Sequence, residues 1–307
     1  MSLRALTLAS FIVGVMGLSA SGFLVAQNPK VLQKLWPNVE FNGSFTSWEP
    51  KEFKESNSFP LKDLEDVSIY VQSEDLDVVV EERKDIWVEV QGTFATPAGA
   101  KNRVKATRAE IANQRLTLTF FQSTDPSGNI HIDNMDDLVK FFWQGKSFEA
   151  KVKVHVPKEI KTIELSSVSG DVKVAGANVK KLKLNTISGD IEWTPLKAEE
   201  VSIDSVSGDV AGELEVVDLK GSFVSGDAHL DLRSQKPQMN LSSISGDLRL
   251  KFLPETQALF KLSTTSGDLR VDKTETEDDE LEVTVGKGDG RVRVETVSGD
   301  VDIDLTL

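Results

Sequence analysis

At 307 residues, the chain is long enough for one elongated domain or two compact ones, and its formal net charge of −14 argues against nucleic acid or anionic lipid as the main partner. It has no cysteine and only three histidines, His131, His155 and His229, far apart in the chain. That excludes disulfides, a thiolate nucleophile, a cysteine-based zinc site and a lipoprotein anchor, and no cofactor is implied.

In chain order, residues 1–26 come first. "MSLRALTLASFIVGVMGLSASGFLVA" carries one early cation, Arg4, then no charge until Lys30, with small residues near Ala20 and Ala26. This reads as a secretory signal peptide. The competing reading is an uncleaved anchor, because residues 5–26 are long enough to span a bilayer. Either way the body of the protein is expected to be exported, to the periplasm or the cell surface. Residues 27–60 mix Pro, Asn, Ser and aromatics and read as a lead-in segment. Residues 61–159 read as an N-terminal β-rich capping region. "VSIYVQSEDLDVVVEE" alternates from Val67, "DIWVEVQG" and "RLTLTFF" are further strands, and "VKATRAEIANQ" fits strand or helix. "SGNIHI" (127–132) resembles a degenerate corner. Met135, Leu138, Val139 and Phe142 have helical spacing in "DNMDDLVKFFWQGK", which predicts a short helix capping the end of the stack.

From residue 160 the sequence repeats. The triplets are Ser169-Gly170-Asp171, Ser188-Gly189-Asp190, Ser207-Gly208-Asp209, Ser225-Gly226-Asp227, Ser245-Gly246-Asp247, Ser266-Gly267-Asp268 and Ser298-Gly299-Asp300. Counted from each Ser, positions −6, −4, −1, +3 and +5 are apolar in all but three of 35 places, far above the 39% hydrophobic content of the chain. The exceptions are Gly221, Thr265 and Gly212. The pattern is strand, corner, strand: Gly supplies the turn backbone, while Ser and Asp bond to neighbouring backbone groups. One such unit cannot bury its apolar face alone, but stacked units can. The sequence therefore predicts an all-β fold, with residues 160–307 forming a parallel β-helix (β-solenoid) of about seven coils of ~20 residues. A leucine-rich repeat ranks second, because a Gly-Asp corner replaces its Asn or Cys. Polar pieces such as "AGANVKK", "TPLKAEE", "DLRSQKPQ" and "DKTETEDDE" are expected to form length-variable return edges. The interval between Ser266 and Ser298 is too long for one unit, and Leu281–Val285 with Arg291–Glu295 is expected to form a closing hairpin.

The segments "VSIYVQSEDLDVVV", "VKVHVPKEIKTIELSSVSGDVKV" and the recurring "VSGDV", "ISGDI" and "ISGDL" resemble a bacterial family, the putative adhesin domain with β-strand repeats, a domain of unknown function. The resemblance covers about 60–307. It implies an exported or envelope-associated β-helix and brings no catalytic motif.

The seven triplet Asp residues are expected to stack at about 4.8 Å. Repulsion between them must be offset, either by hydrogen bonds from corner N–H groups and Ser hydroxyls or by a calcium-lined ridge. The calcium β-roll motif, with its nine-residue period, is missing. These corners are therefore expected to be structural, with no catalytic, cofactor or metal residues. Trp193 reads as core. His229 has no evident Ser or Cys partner. The favoured function is a non-catalytic envelope protein with an adhesion or scaffold surface, its partner an envelope glycan or another envelope protein. The membrane would be engaged only through an uncleaved N-terminus. The alternatives are a polysaccharide-acting β-helix enzyme and a membrane-anchored sensory or regulatory ectodomain.

Overall fold

The computed structural model describes residues 51–94, 108–120, 147–176, 178–276 and 278–306. They lie within one compact unit, 50–307, and are all-β, with no helix among the described residues. The signal-like 1–26, the corner-like 127–132 and the helix expected in 133–146 lie outside the described residues. The N-terminal strands are β1 (Lys51–Pro60), β2 (Asp66–Val71), β3 (Asp75–Glu81), β4 (Asp85–Phe94), β5 (Arg108–Ala112), β6 (Arg115–Thr119) and β7 (Ser147–Pro157). The repeats supply β8 (Thr162–Ser167), β9 (Val172–Ala175), β10 (Asn178–Ser188), β11 (Ile191–Ser207), β12 (Val210–Ser225), β13 (Ala228–Leu232), β14 (Gln238–Ser245) and β15 (Leu248–Phe252). The remainder are β16 (Ala258–Ser263), β17 (Leu269–Val271), β18 (Thr274–Thr276), β19 (Glu280–Val285), β20 (Gly290–Ser298) and β21 (Val301–Asp304).

All 21 strands join one hydrogen-bonded sheet. The sheet folds into two long parallel ladders joined at the triplet corners. The ladder before the corner runs β6, β2, β8, β10, β11, β12, β14, β20, β16. The ladder after it runs β7, β3, β9, β11, β12, β13, β15, β21, β17. The long β11 and β12 serve both. Antiparallel strands close the ends: β5 on β6, β4 on β7 and β1 on β4 at one end, β19 on β16 and β18 on β17 at the other.

Alternation decides what is inside. In β14, Met239, Leu241 and Ser243 are buried, while Asn240, Ser242 and Ile244 face out. Positions −6, −4 and −2 therefore face the core before the corner, and +3 and +5 after it. Leu165, Leu184, Ile203, Leu230, Leu241, Phe252 and Phe260 lie in one continuous buried cluster. The glycine exceptions make room for large neighbours. A Cβ at Gly212 would stand 2.4 Å from Trp193 Cδ1, and one at Gly221 would stand 2.9 Å from the Phe223 ring.

The structure assigns position −1 a face and corrects three expectations. The corner begins at −1, and its side chain turns outward. The return edge is not all loop. Asn178–Val179, Lys197–Ala198 and Glu215–Val216 continue the pairing as a short third ladder, with Val179, Ala198 and Val216 buried. The last ten residues of the lead-in, 51–60, form β1, whose Phe59 packs against the core. Finally, 281–285 and 291–295 form no hairpin. β19 lies antiparallel on β16, whereas β20 inserts between β14 and β16. Their side chains explain the difference. β20 buries Val292, Val294 and Thr296 and so needs a rung on both sides, whereas β19 exposes Glu280, Glu282 and Thr284, as suits an edge. The ambiguous stretch before β6 is strand at 108–112, followed by a turn at Asn113–Gln114.

Candidate binding ridge

The corner is built from four positions. At −2, a buried hydroxyl closes it from inside: Ser167 Oγ donates to the Gly170 carbonyl (2.6 Å) and accepts from the Gly170 N–H (3.0 Å), and Thr186 Oγ1 donates to the Gly189 carbonyl (3.2 Å). Ser205, Ser243, Thr264 and Thr296 occupy the same buried column, and Phe223 replaces the hydroxyl opposite Gly221. The triplet Gly lets successive rungs approach closely. Gly208 has φ 138°, and a Cβ there would stand 2.3 Å from the Gly189 carbonyl oxygen. Triplet serines face solvent.

The triplet Asp residues form a ladder of charge-assisted hydrogen bonds. Each backbone N–H donates to Oδ1 of the Asp on the rung before it, over 2.8–3.2 Å. The spatial order is Asp75, Asp171, Asp190, Asp209, Asp227, Asp247, Asp300, Asp268, so the last two triplets exchange places relative to the sequence. Glu74 replaces glycine in the first rung, and its buried carboxylate accepts from the Ser73 N–H (2.9 Å). The ladder brings all seven predicted triplets into one line.

Beside the Asp ladder stand Val168, Ile187, Val206, Val224, Ile244 and Val297, each between 42% and 53% exposed. One residue per rung at about 4.8 Å gives an apolar ridge roughly 24 Å long. Gln72 and Thr265 occupy the equivalent places at its two ends, so the ridge is bounded by polar residues. Scattered exposed valines need no explanation, but a contiguous row of six β-branched residues beside a row of carboxylates does. The sequence reading missed this surface because it grouped −1 with the other apolar columns without assigning it a face. The signal was parity: if −6 and −4 face in, so does −2, and −1 cannot.

At the return edge lies a groove of about 660 Å³, with Ile160, Val179, Ala198 and Val216 on its floor and charged residues on its walls. Lys197 pairs with Glu215 and Arg233 with Glu213. His155 and His229, the two histidines among the described residues, lie on different strands and are not brought together. His229 Nε2 lies 3.8 Å from Asp231, whereas His155 Nδ1 lies 2.8 Å from Glu81 and its ring meets the edge of Trp87. Hydrogen bonds from Arg83 and His155 hold the Glu81 carboxyl below its ordinary range. His131 lies outside the described residues.

Three crystal structures illustrate what the chain is similar to. A putative cell adhesion protein from Clostridium sporogenes is 13% identical, covering 83% of this chain and 99% of that one, with a TM-score of 0.38. A putative adhesin from Bacteroides fragilis is 11% identical, covering 83% and 98%, with a TM-score of 0.43. A putative lipid binding protein from Parabacteroides distasonis is 12% identical, covering 83% and 95%, with a TM-score of 0.34. No curated protein matches. The family profile described as Toastrack DUF4097 matches residues 64–304, nearly all of the β-structure described above. The chain therefore belongs to the Toastrack family, a domain of unknown function.

Proposed function

We propose that this protein is a non-catalytic, exported envelope protein that works as an adhesion or scaffold surface. In this reading the stacked repeats are the coils of a β-solenoid of about seven turns, and the surface is the apolar ridge with its flanking carboxylates. The observation that carries it is the ridge: six exposed β-branched side chains in register, for which core packing gives no reason. The residues that recur serve the corner, and they recur on every rung, so binding is spread along a line. The signal-like N-terminus supports export, to the periplasm or the cell surface.

The test compares wild-type protein with an Ile187→Lys, Val206→Lys double variant. Both are incubated with peptidoglycan, a panel of bacterial glycans and solubilised envelope proteins, and both retention and product release are measured. The expected result is retention that the ridge variant loses at an unchanged melting temperature, with no product. Retention indifferent to the ridge would remove this surface from the proposal. Reproducible cleavage abolished by a single Asp or Glu substitution would make the protein an enzyme.

A further inference from the structure

The Asp ladder differs from the other charged rows of the stack in how its charge is met. Elsewhere an acid commonly stands opposite a cation on the neighbouring strand. Lys173 Nζ lies 2.7 Å from Glu192, Lys261 Nζ lies 2.8 Å from Glu282, and Lys197 pairs in the same way with Glu215. Along the corner, Oδ1 of each Asp accepts the next backbone N–H. Arg249 takes the other oxygen of Asp247 at 2.9 Å. Asp190, Asp209 and Asp227 stand exposed on three consecutive rungs and pair with no cation among the described residues. Carboxylates repeated at about 4.8 Å repel one another, and a cation seated on them relieves that repulsion.

The same three rungs carry Ile187, Val206 and Val224, all exposed. The surface therefore calls for an occupant that is apolar along one line and cationic along its flank. A second ridge would crowd two Asp ladders together. An anionic bilayer is repelled by the same carboxylates, and a neutral glycan leaves them uncompensated. An extended strand repeats its side chains on one face every ~6.7 Å and falls out of step with rungs of ~4.8 Å. An α-helix keeps step: one turn of about 5.4 Å meets one rung, and the mismatch of about 3 Å over the whole ridge lies within the reach of Lys and Arg side chains. The ridge of roughly 24 Å corresponds to about 16 helical residues. Apolar positions at i, i+3, i+4 and i+7 would lie on the Val and Ile row, and Lys or Arg beside them would reach the free Asp oxygens.

From this we infer that the ridge binds a basic amphipathic helix of a partner protein, laid along the axis of the stack. The inference rests on the ridge being an adhesion surface, and it names the class of partner. Apolar contact along the row holds the helix, and the unpaired carboxylates fix which flank faces the Asp ladder.

The probe is a fluorescein-labelled, amidated peptide of about 18 residues made of Leu, Lys and Gln, with a helical Leu stripe and Lys along one flank of it. The full-length protein is expected to bind it, read by anisotropy, and binding of the unlabelled peptide should raise its helicity. A peptide of the same composition with the stripe scrambled should bind at least about tenfold more weakly. The triple variant Asp190→Asn, Asp209→Asn, Asp227→Asn keeps an Oδ1 acceptor on each rung but removes three charges, and it should also lose about tenfold. Glu192→Gln, Glu215→Gln, Glu282→Gln removes three charges from paired positions and should bind like wild type. Val206→Ser with Val224→Ser should weaken binding about tenfold at an unchanged melting temperature. Equal loss in the two triple variants, or equal binding of the scrambled peptide, would show attraction by net charge alone and overturn the inference. So would no binding at sub-millimolar protein, or ridge-dependent retention by a purified glycan in place of the peptide. If the peptide fails to bind while the Ile187→Lys, Val206→Lys variant still loses retention on envelope material, the adhesion reading stands and only the helix is wrong.

Discussion

The triplet glycine is where one residue decides the fold. At Gly208, added side-chain volume meets the backbone of the rung below at 2.3 Å, and the backbone conformation also disfavours an L-residue. Gly208→Ala should therefore cost roughly 3 kcal/mol or more, read as a fall in the urea midpoint at constant slope. The hydroxyls of the −2 column are less uniform. Thr186 Oγ1 bonds the Gly189 carbonyl, whereas Ser243 Oγ and Thr296 Oγ1, on paired strands, are buried with no hydrogen-bond partner among the described residues. Thr296→Val should accordingly be neutral or stabilise by up to about 1 kcal/mol, whereas Thr186→Val should destabilise by about 1 kcal/mol. Glu81 is one of the carboxyls, with Asp85 and Glu200, that are held low in the folded state. Its carboxyl is held below the ordinary value of 4.5 by Arg83 first and His155 second. A depressed folded-state value gives stability that is present above pH 4.5 and is lost as pH falls through the folded value. Glu81→Gln should therefore flatten the acid limb of a melting temperature against pH curve while leaving neutral pH little changed, a small effect because the pair is partly exposed.

At the scale of elements, the question is where a repeat can change length. The repeats at Ser207 and Ser225 are one residue closer than their predecessors, and the pairing of β11 with β12 slips between Trp193 and Leu196, so the difference is absorbed at Thr194–Pro195. The next repeat gains two residues in the segment between β13 and β14. Two residues inserted between Gln235 and Lys236 should thus change the melting temperature little, whereas the same insertion after Ala198 should lower it sharply, because Val179, Ala198 and Val216 pair as a ladder there. Thermal unfolding followed by circular dichroism distinguishes the two. These cases also show what the sequence made legible. The repeat, its corner and the inward columns were readable, because period-two burial and a fixed spacing leave few other solutions. The outward turn at −1 was not, because Val and Ile look alike inside and outside, and only strict alternation separates them. The place of β20 was not readable either. "VETVSGDV" fits the end of the stack and its penultimate place equally well, and the choice follows from β19, whose Glu280 and Glu282 exclude it from the interior.

Across the whole described unit, an all-parallel stack would leave two open edges, and antiparallel strands occupy both. The outer side of β19 is guarded by charge, with Glu280 and Glu282 exposed and Glu282 paired to Lys261. Glu280→Val with Glu282→Val should turn this end into a β-pairing surface, seen as rising light scattering on mild heating at unchanged secondary structure. The exchange of the last two rungs has a temporal consequence. A chain that emerges or is threaded across a membrane from its N-terminus presents β16–β17 before β20–β21 exist. The rung that ends up outermost therefore lacks its final partner until the later segment takes its place between it and β14–β15. Until then the finished part of the stack ends in a bare strand edge at β14–β15, recognisable to any factor that holds unpaired strands. Closure of the molecule is thereby tied to the arrival of residues 290–304, and a chain interrupted before Gly290 is marked as incomplete by its own hydrogen bonds.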